Sequence, residues 1–173
     1  MHGESLYKIL KKGDIIFSSP NSLIFKFIKY WTRDKWAHVA IVADIIDSHI
    51  FIVEALPSGI DVNDLIWYEK EKKDFIVYRL KKLNEQLREE IVHYALNFIG
   101  SRYDFAALSN FLISKPILGE KKRYYCSELI YRILTHLNLI KESENPEMIS
   151  PHDLRLLIEN ESEIIYKKEH KKC

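Results

Sequence analysis

One cysteine of the sequence, Cys126, lies where a helix is predicted to begin, in the stretch "RYYCSELIYRIL". A cysteine in the first turn of a helix is close to the positive end of the helix dipole and to unpaired backbone N–H groups, and both favour the thiolate. The same N–H groups can stabilise an oxyanion. The position therefore favours a nucleophile, but a buried cysteine on a helix is also commonly an inert apolar residue. A basic side chain close to Cys126 would favour the nucleophile over the inert residue.

The candidate base is His38, which opens the predicted strand "HVAIVAD". At the margin of a sheet its ring can face a cleft while the side chains that follow enter the core. The other six of the seven histidines are explained by chain ends, helices, a hairpin turn or a helix start: His2, His49, His93, His136, His152 and His170.

The candidate third residue is Glu54, a carboxylate within the otherwise apolar run "FIVEAL". Residues directly opposite in a hairpin have a constant sum of their numbers, so a loop centred near Ile46 places His38 opposite Glu54. An imidazole across the strand pair would give the buried carboxylate a hydrogen-bond partner. The alternative is a solvent-facing glutamate on an edge strand.

Cys126, His38 and Glu54 together supply the nucleophile, base and orienting acid used by papain-like hydrolases. The same three residue types could also bind zinc at a catalytic site. However, the sequence contains no paired ligand spacing such as HxxxH or CxxC. We therefore expect no metal and no cofactor.

Hydrophobic periodicity predicts the elements that would position these residues. The β-rich runs are "DIIF", "HVAIVAD", "HIFIVEA" and "DFIVYRL", and the middle two are predicted to form a hairpin. In "SLIFKFIKYW", Leu23, Phe27 and Tyr30 have helical spacing, and we expect this helix to pack on the core. Another helix is predicted from the N-cap Asn84 to Gly100 at its C′ position, and a third from the cysteine onward. Helices that flank a run of strands predict an α+β fold.

Length and composition indicate one folded domain over residues 1–173. The chain is 47% hydrophobic, and its 26 Lys and Arg nearly balance 25 Asp and Glu, so no broad positive charge favours nucleic acid. The sequence lacks both an export signal and an apolar run of the roughly 18 residues that a membrane span needs. We expect a soluble cytoplasmic protein in which Cys126 and Cys173 are free thiols. The run "EKEKK" at 69–73 is interpreted as a solvated turn.

Several segments, taken in order, resemble the permuted papain-fold amidases of the YaeF/YiiX type, which are relatives of NlpC-type cell-wall peptidases and of lecithin retinol acyltransferase. They are "GDIIF", "SPNSLIFKFIKYWT", "WAHVAIV", "FIVEALPSGI", "VYRL", "GSRYDF", "YYCSELIYRIL" and "ISPHDL". The resemblance implies a circularly permuted papain-like (NlpC-type) fold, with an antiparallel sheet packed against helices. It also implies Cys126 as nucleophile, His38 as base and Glu54 as the third member. The chain departs from many relatives at Ala40, where they have Gly, and in lacking an export signal or lipobox.

The sequence thus predicts a cysteine hydrolase that cleaves an amide or peptide bond of a small or peptide-like substrate. The backbone N–H of Cys126 would hold the oxyanion together with a second donor, for which Tyr124 and Tyr125 are candidates. Tyr103 and Asp104 could line the cleft. One alternative is a lipid-directed acyltransferase or phospholipase, since the lysines and aromatics of "SLIFKFIKYW" could rest on a membrane surface. Another is a non-catalytic binding module on the same fold.

Overall fold

The computed structural model describes residues 6–71, 73–104, 123–142 and 148–170. Its strands are β1 (Ile15–Ser19), β2 (His38–Ile46), β3 (His49–Leu56), β4 (Gly59–Asp64), β5 (Asp74–Leu80), β6 (Arg102–Tyr103), β7 (Arg123–Tyr124) and β8 (Ser162–Lys168). Its helices are α1 (Leu6–Ile9), α2 (Leu23–Thr32), α3 (Ile66–Lys70), α4 (Glu85–Leu96), α5 (Cys126–His136) and α6 (Pro151–Glu159). His2 and Cys173 lie outside the described residues.

Within these residues, one antiparallel sheet has the strand order β4-β3-β2-β1-β5-β8. The short strands β6 and β7 form a separate parallel pair. The central strands β1 and β2 are buried along most of their length because other elements cover both faces of the sheet. This combination of an antiparallel sheet and helices confirms the predicted α+β class.

The two faces of the sheet carry separate hydrophobic clusters, because successive side chains of a strand point to opposite faces. On one face α5 packs against β2 and β3, and its Leu129 shares a cluster with Val39. On the other face Ala40 shares a second cluster with Leu6 of α1 and Tyr68 of α3. Helix α5 and helix α3 therefore approach the β2–β3 pair from opposite sides.

The register of the β2–β3 hairpin differs from the predicted one. Glu54 lies opposite Ala40 and not opposite His38. The prediction was wrong because the turn, formed by Asp47 and Ser48 with φ values of 48° and 72°, lies later in the chain. A β-bulge between Val42 and Asp44 then moves the register back by one residue, which leaves a net shift of two. His38 nevertheless lies on the same face of the sheet as Glu54, because a register shift of two residues does not change the face to which a side chain points. The two residues are diagonal neighbours and not directly opposite.

Helix α4 begins as predicted but ends earlier. The side chain of Asn84 accepts a hydrogen bond from the backbone N–H of Leu87 at 2.8 Å, which confirms the predicted N-cap. The helix ends at Leu96, and the following residues make the i→i−3 hydrogen bonds of a tightened last turn. Gly100, predicted to stop the helix, adopts a φ of 81° at the end of this turn.

Helix α2 forms as predicted, but the predicted stripe is not its buried side. Phe25 and Ile28 are buried in a cluster with Ala37, whereas Leu23 and Tyr30 are 85% and 84% exposed. Apolar residues occur on more than one side of this helix, so helical spacing alone does not select the side that is buried. Leu23 and Tyr30 therefore remain at the surface of the protein.

Candidate active site

Cys126 is the first residue of α5, as the sequence predicted, and follows the N-cap residue Tyr125. It is a free cysteine and only 1% exposed. Tyr125 has an extended backbone with φ −98° and ψ 170°, and the helix that follows buries Leu129, Ile130 and Ile133 against the sheet. This packing fixes the start of the helix, so Cys126 lies at the positive end of its dipole.

His38 and Glu54 form a buried pair at the open end of the β2–β3 hairpin. Nε2 of His38 lies 2.6 Å from Oε2 of Glu54, and the two residues are 1% and 3% exposed. They are diagonal neighbours across the strand pair, a distance that long side chains can bridge. Phe25 of α2 packs edge-on against the imidazole, with ring centroids 5.2 Å apart. The predicted contact is therefore present although the predicted register is wrong.

The electrostatics of this pair include the sulfur of Cys126. Burial by itself lowers the pKa of His38, but the neighbouring Cys126 and Glu54 outweigh it and raise the pKa to about 9. Burial raises the pKa of Glu54, but His38, Tyr68 and Lys73 hold it below its ordinary value. Nδ1 of His38 is buried without a well-directed hydrogen-bond partner among the described residues. The surroundings thus favour the charged imidazolium of His38 beside the carboxylate of Glu54.

Two more side chains hold Glu54, and sequence reasoning missed both. The hydroxyl of Tyr68 donates to Oε2 of Glu54 at 2.7 Å, and Nδ2 of Asn63 donates to Oε1 at 3.2 Å. Lys73, which the sequence assigned to a solvated turn, lies with its Nζ 4.5 Å from the centroid of the Tyr68 ring. The β3–β4 register could have indicated Asn63, which lies diagonally across from Glu54. No spacing in the sequence indicates Tyr68.

A narrow pocket opens beside Cys126. The surface that faces this pocket is almost wholly apolar, and its walls come from α2, from the start of α6 and from the segments around β6 and the start of α5. The lining residues are Phe27, Ile28, Trp31, Thr32, Tyr103, Tyr125, Cys126, Ser150 and Pro151. The surface next to the sulfur on this side is therefore apolar.

The residues predicted to donate to the oxyanion or to line the cleft fall into two groups. Tyr103 and Tyr125 are buried and line the pocket. Burial is the main cause that raises the pKa of both hydroxyls, so they stay protonated and can donate. Tyr124 packs edge-on against Phe98, with ring centroids 5.0 Å apart, and neither Tyr124 nor the half-buried Asp104 belongs to the described lining of the pocket.

His152 lies at the start of α6, as predicted, where Ser150 and Asp153 form a capping box. Its Nδ1 is 2.7 Å from Oδ2 of Asp34, which also accepts hydrogen bonds from Arg155. This cluster joins the segment after α2 to α6, and both helices contribute walls of the pocket. In the described part of the chain, no group of three or more His, Cys, Asp or Glu side chains is arranged to hold a metal ion.

The profile of the permuted papain-like amidase enzymes, the YaeF/YiiX or C92 family, matches residues 9–152. The chain belongs to this family. The matched range begins before β1 and ends within α6, so it includes Cys126, His38 and Glu54. The family and the fold that the sequence resemblance implied are thereby confirmed. Among curated proteins, no significant match to the chain is found.

A solved structure with the same fold is that of YiiX from Escherichia coli O157:H7, which is described as a metalloprotein. The TM-score is 0.71 at 18% sequence identity, and the similarity covers 92% of this chain and 98% of that chain. At this identity the likeness concerns the fold alone. None of the helices in the described ranges is both long and apolar enough to cross a membrane.

Proposed function

We propose that the protein is a cysteine hydrolase that cleaves an amide or peptide bond, with Cys126 as nucleophile, His38 as base and Glu54 as orienting acid. The observation that carries the proposal is the buried His38 ring, which is 2.6 Å from Glu54 and has a pKa raised to about 9 beside Cys126. Membership of an amidase family supports the reaction class. The position of Cys126 at a helix start supports its role as the nucleophile.

In the first half-reaction the Cys126 sulfur attacks the carbonyl carbon of the substrate and forms a tetrahedral intermediate. The negative oxygen is stabilised by backbone N–H groups at the start of α5, and the protonated hydroxyls of Tyr103 and Tyr125 are candidates for a further donor. His38, charged at this stage, gives its proton to the leaving nitrogen as the C–N bond breaks. The products are an amine and a thioester on Cys126.

In the second half-reaction water hydrolyses the thioester. His38, now neutral, takes a proton from the water, whose oxygen attacks the thioester carbonyl carbon. The C–S bond breaks, a carboxylic acid leaves, and the thiolate and imidazolium are restored. Glu54 stabilises the ring in its charged form and fixes its orientation throughout, as the acid of a triad does.

Brief labelling with iodoacetamide near neutral pH tests the thiolate–imidazolium pair. We expect His38→Ala to slow the alkylation of Cys126 by about tenfold or more, because the thiolate loses its counter-ion. Cys173 in the same protein serves as the internal reference, and its rate should not change. Peptide mapping after a short pulse gives both rates. Equal Cys126 rates in the intact and the variant protein would contradict the pair.

Turnover is tested with a panel of small amides and aminoacyl anilides. Cys126→Ser should keep the fold, because it replaces a single atom, and should abolish the hydrolysis of any amide that the intact protein cleaves. An active serine variant would contradict a thiol mechanism. A folded protein in which Cys126 is unreactive would instead support the binding-module alternative.

A lipid-directed acyltransferase or phospholipase is a second candidate function, and the surface around the pocket favours it. Leu23 and Tyr30 of α2 are largely exposed, and Trp31 is 44% exposed. The exposed Lys26 and Arg33 lie among them. Apolar side chains next to cations are the features with which a helix rests on an anionic membrane surface.

Flotation with anionic liposomes separates the two candidates. A lipid-directed enzyme should rise with the vesicles, and the double change Leu23→Ser and Tyr30→Ser should abolish flotation without changing the melting temperature, since both side chains are exposed. An amidase for water-soluble substrates should stay at the bottom of the gradient in both forms.

A further inference from the structure

We propose that Tyr68 is a positioning residue that holds Glu54 in the orientation in which it can support His38. The inference rests on the proposed function, because it gives Glu54 the role of the orienting acid. In this role Tyr68 acts through the carboxylate of Glu54. Nothing in the sequence pattern or in the family match assigns it a function.

The geometry around Glu54 carries the inference. The hydroxyl of Tyr68 and Nε2 of His38 both lie within hydrogen-bond distance of Oε2, at 2.7 and 2.6 Å, and Asn63 donates to Oε1 at 3.2 Å. Hydrogen bonds to both oxygens fix the plane of the carboxylate, so it cannot turn away from the imidazole. A carboxylate oxygen that accepts two such bonds is also a weaker base, and this keeps the shared proton on His38.

The protein holds the Tyr68 ring firmly enough for this role. Tyr68 is 2% exposed and packs edge-on against Phe75, with ring centroids 6.3 Å apart. The backbone N–H of Lys73 donates to the Tyr68 carbonyl at 2.8 Å, which closes the segment around α3. Burial, and then the charge of Glu54, raise the pKa of Tyr68 well above its ordinary value. The hydroxyl therefore remains a donor over the whole range in which His38 titrates.

A merely structural tyrosine would make the same hydrogen bond, so the test must measure coupling to the reactive thiol. We compare Tyr68→Phe with Tyr166→Phe, which removes the hydroxyl of a tyrosine that packs on the same Phe75 ring at 5.5 Å. Tyr166 lies on β8, at the opposite edge of the sheet from β4. The measurements are the Cys126 alkylation rate from pH 6 to 9 and the thermal melt of each variant.

Tyr68→Phe should slow the alkylation of Cys126 about 3- to 10-fold near neutral pH, the loss expected for one ordinary hydrogen bond. Tyr166→Phe should leave the rate and its pH profile unchanged. In the background of Glu54→Gln, Tyr68→Phe should cause no further loss, because the charge that it positions is already absent.

Three results would overturn the inference. An unchanged rate in Tyr68→Phe, while Glu54→Gln slows labelling, removes Tyr68 and leaves the proposed triad intact. A loss that adds in full to that of Glu54→Gln shows that Tyr68 acts on the structure and not through Glu54. No effect from either change removes Glu54 from the proposed mechanism as well.

If Tyr68→Phe melts below the assay temperature, 3-fluorotyrosine placed at this site keeps the ring and its packing and makes the hydroxyl a stronger donor. The pH profile of Cys126 alkylation should then shift from that of the intact protein. An unchanged profile would overturn the inference.

Discussion

A histidine begins each strand of the β2–β3 hairpin, and each histidine pairs with a carboxylate at the same distance. Nε2 of His38 is 2.6 Å from Oε2 of Glu54, and Nδ1 of His49 is 2.6 Å from Oδ2 of Asp64. The side chains of the first pair are 1% and 4% exposed, whereas those of the second are 55% and 17% exposed. A short contact alone therefore does not identify a functional pair.

The two pairs differ in what surrounds them. The ring of His49 stacks on Phe51, and the other oxygen of Asp64 accepts the backbone N–H of Ile66 at 2.9 Å, so this pair completes a turn at the surface. Water screens such charges, and their attraction contributes little. The buried pair has Cys126 and an apolar pocket as neighbours, and exclusion of water strengthens each interaction within it. In the proposed function, burial beside the Cys126 thiol is what separates the His38–Glu54 pair from a structural one.

The change that should break the buried pair most clearly is Glu54→Gln. It keeps the size of the side chain and removes the anion that stabilises charged His38. The corresponding loss in serine triads is about 10⁴ in kcat, but a cysteine forms its thiolate more readily, so we expect a fall on the order of 10 to 10³. The measurement is kcat beside a thermal melt. Full activity with an unchanged melt would leave a dyad of Cys126 and His38.

The sequence predicted the fold well because the relevant signals are local. Apolar runs located β1, β2, β3 and β5 but not β4 and β8 of the same sheet, and Asn84 located the start of α4. The side of α2 that is buried could not be predicted, since apolar residues lie on more than one of its sides and only tertiary contacts select Phe25 and Ile28. The hairpin register was also wrong, because the turn lies at Asp47 and Ser48 and not near Ile46, and the sequence did not indicate the β-bulge that then moves the register back by one residue.

The contact between His38 and Glu54 was predicted in spite of the wrong register, because a shift of two residues preserves the face of the strand. The neighbours of Glu54 were not predicted. Tyr68 reaches the carboxylate from α3, across the hydrophobic cluster on the sheet face away from α5. Such an approach depends on how the chain between β4 and β5 folds back, and neither periodicity nor spacing encodes it.

The raised pKa of His38 also predicts how stability depends on pH. A group whose pKa rises from 6.5 to about 9 on folding stabilises the protein fully below pH 6.5, and this contribution is lost as the pH rises through about 9. We expect the contribution of His38 to the free energy of unfolding to fall across this window. Urea titrations at pH 6, 7.5 and 9.5 measure it.

The control for this pH dependence is His38→Gln, which cannot titrate. Its free energy of unfolding should vary less over the same window, because the proton that folding takes up is missing. Equal slopes in the two proteins would mean that His38 does not take up the proton, and the buried pair would then resemble the exposed pair at the other end of the hairpin.

The smallest expected effect belongs to Asp64→Asn, the counterpart of Glu54→Gln at the exposed pair. Both changes convert a carboxylate to an amide next to a histidine. Asn keeps an oxygen that can accept the N–H of Ile66, so the turn before α3 should persist. An exposed ion pair contributes about 0–1 kcal/mol, and the melt should move little. Cys126 alkylation and kcat should not change, because His49 has neither the burial of His38 nor a neighbouring thiol. A loss of activity comparable to that of Glu54→Gln would show that carboxylates act on this site through the whole hairpin, and burial could no longer be taken as the feature that separates the two pairs.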